Sequence, residues 1–146
     1  IYDVATLSQE WIGAFGAETG ADAAPEDETA ARNTIASYME ALNQEDLAGA
    51  LRLVHPDSPM RSAAEKTLRW MFETYALTHE LESVRVLEAS GDEMFVHTVQ
   101  AMRKTDGPKL ADVRSESIHT LRRLANGQWR LYATIQGETE ALSIPQ

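Results

Sequence analysis

The hydrophobic periodicity of this chain changes once, near Tyr75, from a repeat of about 3.6 residues to a repeat of two. Before Tyr75, apolar residues recur at the spacing of one helix face, as in Ala31, Ile35, Tyr38, Met39 and Leu42. After it, apolar and polar residues alternate through four segments, 78–88, 93–104, 110–124 and 128–138. The pattern predicts an α+β fold in which N-terminal helices cover one face of a mainly antiparallel sheet.

Three helices are predicted before the periodicity changes. Acidic residues 26–28 suit the N-terminus of the first helix, and a polar break at 43–46 separates it from a short second helix. The second helix ends before Pro56. Ser58 followed by Pro59 has the pattern of an N-cap and a first helical position, which predicts that the third helix begins there.

The turns between the predicted strands set their pairing. Asn126-Gly127 is a strong signal for a two-residue hairpin turn, and that register places His119 opposite Thr134. The apolar positions of the first strand step from Leu81 to Val84, which breaks the alternation. We expect a β-bulge at this step, which would curve the sheet.

Composition excludes several classes of protein. The 146 residues include 13 Lys+Arg and 23 Asp+Glu, a formal net charge of −10, so binding to nucleic-acid phosphates is not expected. The sequence has no cysteine and therefore no disulfide or thiolate chemistry. No apolar run approaches the length of a transmembrane helix. Its four histidines lack the spacing of metal ligands, so neither a metal nor a cofactor is expected.

The N-terminal part differs from the rest. Residues 1–31 contain seven acids and no base, and residues 16–25 are rich in Gly and Ala without a large apolar side chain. Val4, Leu7, Trp11 and Phe15 lie at the spacing of one helix face. We interpret residues 1–25 as an amphipathic segment that packs against a domain surface, followed by a flexible acidic linker, and residues 26–146 as one domain.

The order of these features resembles the nuclear transport factor 2-like superfamily, which includes the polyketide cyclase and ketosteroid isomerase-like proteins. The resemblance rests on three segments and covers roughly residues 28–140: Tyr38-Met-Glu-Ala-Leu-Asn-Gln-Glu-Asp-Leu47, His55-Pro-Asp-Ser-Pro59 and Asn126-Gly-Gln-Trp-Arg-Leu131. It implies a cystatin-like α+β cone, in which a strongly curved sheet wraps the helices and often leaves an apolar pocket. Dimerisation through the sheet is common in that superfamily. Its catalytic residues differ between subfamilies, and none is transferred to this chain.

Five side chains are candidates for lining such a pocket: Tyr38, Phe95, His97, His119 and Tyr132. A histidine among apolar neighbours can act as a general base, but it can also be a core residue whose hydrogen bonds are satisfied. Large aromatic groups with a few polar atoms suit a small apolar ligand. Arg114 and Glu116 share a strand face, which we expect to be solvated rather than part of the pocket.

Two functions remain after these exclusions. The first is a noncatalytic module that binds a small apolar ligand or assembles with a partner. The second, implied by the resemblance, is a cofactor-independent isomerase, dehydratase or hydrolase with a small hydrophobic substrate. We expect a homodimer that buries part of the uncovered sheet face. Because the sequence begins at Ile1, we expect a soluble, processed or truncated product, either cytoplasmic or exported after removal of a signal peptide.

Overall fold

The computed structural model describes residues 25–142 and contains three helices followed by four strands. The helices are α1 (Pro25–Asn43), α2 (Leu47–Arg52) and α3 (Arg61–Thr74). The α+β class and the single change from helix to strand are confirmed. Residues 1–24 lie outside the described part, so the amphipathic segment and linker stay predictions.

The helix ends follow from local hydrogen bonds. Asp46 caps α2, because its carboxylate accepts the backbone N–H of Gly49 at 2.9 Å. The predicted start of the third helix was wrong, since α3 begins at Arg61. The Ser58 hydroxyl does accept the Met60 N–H at 3.1 Å, but it also donates to the Tyr132 carbonyl. Ser58 therefore holds the turn before α3 against the sheet instead of capping the helix.

The four strands form one antiparallel meander in the order β1-β2-β3-β4. They span Ala76–Ser90, Glu93–Asp106, Val113–Arg123 and Trp129–Ala141. The expected irregularity in β1 is present, with a register shift between Leu81 and Ser83, and a second shift follows between Val86 and Glu88. The sheet curls without closing, and no helix among residues 25–142 is both long enough and apolar enough for a membrane span.

The hairpin between β3 and β4 differs from the predicted two-residue turn. Leu124 and Gln128 close the loop, with the Leu124 N–H bonded to the Gln128 carbonyl at 2.7 Å, so three residues form the turn. Gly127 adopts the positive φ of 88° that such a loop needs. A shift between Thr120 and Leu121 then offsets the extra residue, and His119 does lie opposite Thr134.

The core lies between α1 and the sheet. Its largest side chains are almost completely inaccessible: Ile35, Val86, Met94, Val96, Leu121 and Leu131 are each 2% exposed or less. A second cluster joins Ala41, Leu42, Ala50 and Leu68, where α1, α2 and α3 meet. Tyr38 and Met39 pack against both clusters, which makes the interior continuous. Apolar side chains of α1 and the sheet therefore occupy the space beneath α1.

Gly107 follows β2 at a point where the backbone passes close to the end of α3. Its φ is +115°, and a Cβ there would lie 2.7 Å from the Thr74 carbonyl oxygen. We expect Gly107→Ala to lower the free energy of unfolding by about 2 kcal/mol or more, because strain and a backbone clash add. Gly91→Ala is the matched control: its φ is also positive, at +59°, but no atom lies within 4 Å. Equal urea midpoints for the two variants would contradict the clash.

Candidate functional site

The sheet presents two faces, which the regular pairing of β2 with β3 separates. No register shift interrupts this pair, so alternate residues point to opposite sides. Met94, Val96 and Leu121 belong to the core beneath α1, which defines the helix-facing side. The other side, called the outer face here, carries Phe95, His97, Val99, Glu116, Ile118 and Thr120.

A row of hydrogen-bonded polar side chains lies on the helix-facing side, beyond the apolar core. The two ring nitrogens of His119 lie 3.1 Å from the Thr98 hydroxyl and 2.9 Å from the Thr134 hydroxyl. Thr98 also donates to the Gln100 amide oxygen at 2.8 Å, and Gln100 donates to Ser117 at 2.9 Å. The row connects a fully buried residue, Thr98, to an exposed one, Thr134.

His119 is the titratable group of this row, and it is held neutral. Burial lowers the pKa of His119 to about 4, and the neighbouring His97 adds to the shift. Both ring nitrogens have hydroxyl partners, so in the neutral ring one nitrogen donates and the other accepts. No carboxylate contacts the ring within residues 25–142. The arrangement suits a satisfied core histidine better than a general base.

The outer face has a different chemistry. His97 Nε2 lies 3.1 Å from Glu116 Oε2, with the side chains 12% and 23% exposed. Arg114 bridges two strands by pairing with Glu82 and with Glu140. The guanidinium of Arg114 lowers the pKa of the Glu82 carboxyl below its usual value. A depression of ≈ 260 Å³ opens beside these groups, lined in part by Val99, Arg114, Glu116 and Glu140.

The structure does not bring the five predicted pocket residues together. Phe95 and His97 lie on the outer face, whereas His119 lies on the helix-facing side. Tyr38 is packed against the core, and burial raises its pKa. Tyr132 sits at a register shift of β4, with the Arg122 guanidinium 3.6 Å above its ring. A ligand-binding role for any of the five remains a prediction.

Sequence reasoning missed three members of the polar row that contains His119. Thr98, Gln100 and Ser117 are polar, and two of them alternate with the apolar positions of β2, a pattern that is typical of a solvated face. Thr98 and Ser117 are instead buried, at 0% and 3% exposure. The pairing of β2 with β3 was the missing information. Among residues 25–142, no group of three or more acidic or histidine side chains is arranged to hold a metal ion.

Three helices, a curled antiparallel meander and a core on one sheet face form a cystatin-like fold. Residues 33–142 match the model of a named family, the C-terminal domain of the anti-sigma-I factor RsgI9. The chain belongs to this family. Comparison with curated proteins gives no significant match.

Solved structures share the fold at low sequence identity. A Nostoc punctiforme protein of unknown function with a cystatin-like fold is 15% identical, with a TM-score of 0.64 and coverage of 78% of this chain and 92% of that one. A ketosteroid isomerase-like protein from Erwinia carotovora atroseptica is 17% identical, with a TM-score of 0.61 and coverage of 83% and 100%. A candidate scytalone dehydratase from Novosphingobium aromaticivorans is 16% identical, with a TM-score of 0.67 and coverage of 82% and 89%.

Proposed function

We propose that this domain is a noncatalytic assembly module that binds a second copy of the chain through the outer face of its sheet. The observation that carries the proposal is the buried apolar core under α1. Ile35, Met94, Val96 and Leu121 are 0–1% exposed, so the apolar part of the helix-facing side is occupied by side chains. The outer face of the sheet is then left for binding a partner.

The environment of the histidines argues against the enzyme alternative. A general base requires an accessible nitrogen and a pKa near the working pH. His119 has a pKa near 4, and its nitrogens bond to Thr98 and Thr134. His97 does contact a carboxylate, that of Glu116, but on the outer face and away from the core. The two rings therefore do not form one acid–base site.

The outer face suits a second copy because the glutamates on it pair with arginine or histidine side chains. The whole chain carries a net charge of −10, which opposes self-association. On this face, however, arginines or histidine pair with the acids: Arg114 with Glu82 and Glu140, Arg122 with Glu93, and His97 with Glu116. Phe95, Val99 and Ile135 are half-buried apolar residues between these pairs. A mixed surface of this kind is typical of protein interfaces.

The family description is consistent with a binding role. The matched family is one domain of an anti-sigma-I factor, a description that names a regulatory protein and no catalytic activity. Three relatives of known structure have enzyme-like or unknown descriptions, but their low identity supports the fold alone.

Sedimentation of the full chain at micromolar concentration tests the proposal. One chain has a mass of 16.2 kDa, and we expect a species of about twice that value. Ile135→Arg places a charge among the half-buried residues of the outer face, and we expect it to shift the species to the monomer. Thr67→Arg, on the exposed side of α3, is the matched control and should leave the dimer intact.

Two results would contradict the proposal. The first is a monomer at every concentration in the unmodified chain. The second is a ligand from a library of small apolar molecules that raises the thermal midpoint of the chain but not that of His119→Gln. The second result would favour the pocket and the enzyme alternative.

A further inference from the structure

A groove lined by arginines runs between the end of α2 and the β3–β4 hairpin. Three arginines and four apolar side chains form it: Arg52, Arg61 and Arg130, with Leu51, Val54, Pro56 and Leu124. No acidic residue lines this groove within the described part of the chain. Its volume of ≈ 350 Å³ leaves room for one or two large side chains.

The arginines of the groove lack carboxylate partners among residues 25–142. The guanidinium of Arg61 donates to the carbonyls of Leu51 and Val54, at 2.7 and 3.0 Å. Arg130 donates to the Trp129 carbonyl at 3.0 Å and to the Gln128 amide oxygen at 2.6 Å. Arg52 is exposed at the end of α2. By contrast, Arg114, Arg122 and Arg123 each pair with an acid.

The N-terminal sequence has the complementary chemistry. Residues 1–24 contain Asp3, Glu10, Glu18 and Asp22 and no Lys or Arg. The same stretch carries the apolar set Val4, Leu7, Trp11 and Phe15 at helical spacing. At helical spacing Glu10 lies about 100° around the axis from Trp11, at the border of the apolar stripe, so its carboxylate would meet the rim of a groove that holds the indole.

We propose that residues 1–15 dock in the arginine groove of their own chain, with Trp11 against the guanidinium groups and Glu10 paired to one of them. This inference is independent of the assembly function proposed above. It specifies the domain surface against which the amphipathic segment packs.

The point of attachment makes the groove reachable. α1 begins at Pro25, and Ala30 on α1 lines a neighbouring depression that shares Arg130 with the groove. The nine residues 16–24 can span roughly 30 Å when extended. A segment tethered next to its site binds at high effective concentration.

Trp70 on α3 offers a competing apolar surface. Its side chain is 55% exposed and contacts Tyr75 edge to face, with ring centroids 5.7 Å apart. Arg69 beside it is already paired with Glu65 at 2.8 Å. This surface therefore attracts the acidic segment less than the groove does, because no acidic residue of the described part lines the groove. Arg52 and Arg130 also border a neighbouring depression that contains Glu40 and Asp46.

A nitroxide on the segment can locate it, because the chain contains no cysteine and one introduced thiol is labelled uniquely. Gln9→Cys lies opposite the apolar stripe and leaves it intact. We expect the oxidised label to broaden the backbone amide signals of Arg52, Val54 and Leu124 more than those around Trp70. The isotope-labelled protein that carries the nitroxide is then diluted with protein that carries neither label. The broadening should persist, because the contact is within one chain.

Charge reversal provides the matched control. Arg52→Glu with Arg130→Glu should reduce the broadening at the groove several-fold, whereas Lys66→Glu with Lys109→Glu changes the net charge equally and should not. Arg61 is left unchanged because its guanidinium donates to the carbonyls of Leu51 and Val54. Broadening around Trp70, broadening that disappears on dilution, or no localised broadening would each overturn the proposal. Sedimentation of the same variants reports the dimer separately, so failure of one proposal is distinguishable from failure of the other.

Discussion

Leu121→Ala is expected to lower the free energy of unfolding by about 2–5 kcal/mol. Leu121 lies on β3 with 0% exposure and packs in the cluster that joins α1 to the sheet. Truncation removes apolar surface that folding buries, and it leaves a cavity beneath α1 that the rigid strands cannot fill. Urea unfolding followed by circular dichroism measures the change.

Leu110→Ala is the control for this substitution. Leu110 lies in the connection between β2 and β3 and is only half-buried. The same chemical change there should cost about 1 kcal/mol or less, because surrounding water fills the space. If the two variants unfold at the same urea concentration, the interior between α1 and the sheet is not closely packed, and the assembly proposal loses its main support.

Acidification is expected to destabilise the domain through His119. The folded state holds this ring neutral, with a pKa near 4, while the unfolded chain has the ordinary value of 6.5. Between these values the unfolded state binds more protons, so stability falls as the pH is lowered and is fully retained above about pH 6.5. The shift predicts a loss of about 2 kcal/mol between pH 7 and pH 5 from this group.

The variant His119→Gln isolates that contribution. Glutamine does not titrate, so the difference in unfolding free energy between pH 7 and pH 5 should shrink by about 2 kcal/mol relative to the unmodified chain. Burial also lowers the pKa of His79, which acts in the same direction in both proteins and cancels in the comparison. Equal pH dependence in the two proteins would show that folding does not change the pKa of His119.

The register of β3 and β4 shows how far sequence reasoning could go. The Asn126-Gly127 signal correctly predicted a hairpin, and His119 does face Thr134. The predicted two-residue turn was wrong, because the loop has three residues. A register shift between Thr120 and Leu121 compensates for the additional loop residue and restores the predicted pairing of His119. Turn type depends on backbone angles, which the dipeptide favours but does not fix.

The helix boundaries carry a similar lesson. The prediction that α1 begins at the acidic cluster was confirmed, because acids next to a helix N-terminus act locally. The predicted start at Ser58 was wrong, because the serine hydroxyl donates to Tyr132, 74 residues away in sequence. A partner so distant leaves no local pattern.

The sequence by itself determined the class of fold, the order of helices and strands, and the bulge in β1. These features depend on periodicity and turn residues that act over a few positions. Only the tertiary structure decided which side of the sheet each candidate faces. Both faces of β2 carry apolar residues, so Phe95 and Met94 look alike in sequence, and a shift of one residue exchanges the faces. Met94 packs in the core under α1, and Phe95 does not. His119 therefore lies on the helix-facing side and His97 on the outer face, so the predicted pocket residues are divided between two surfaces.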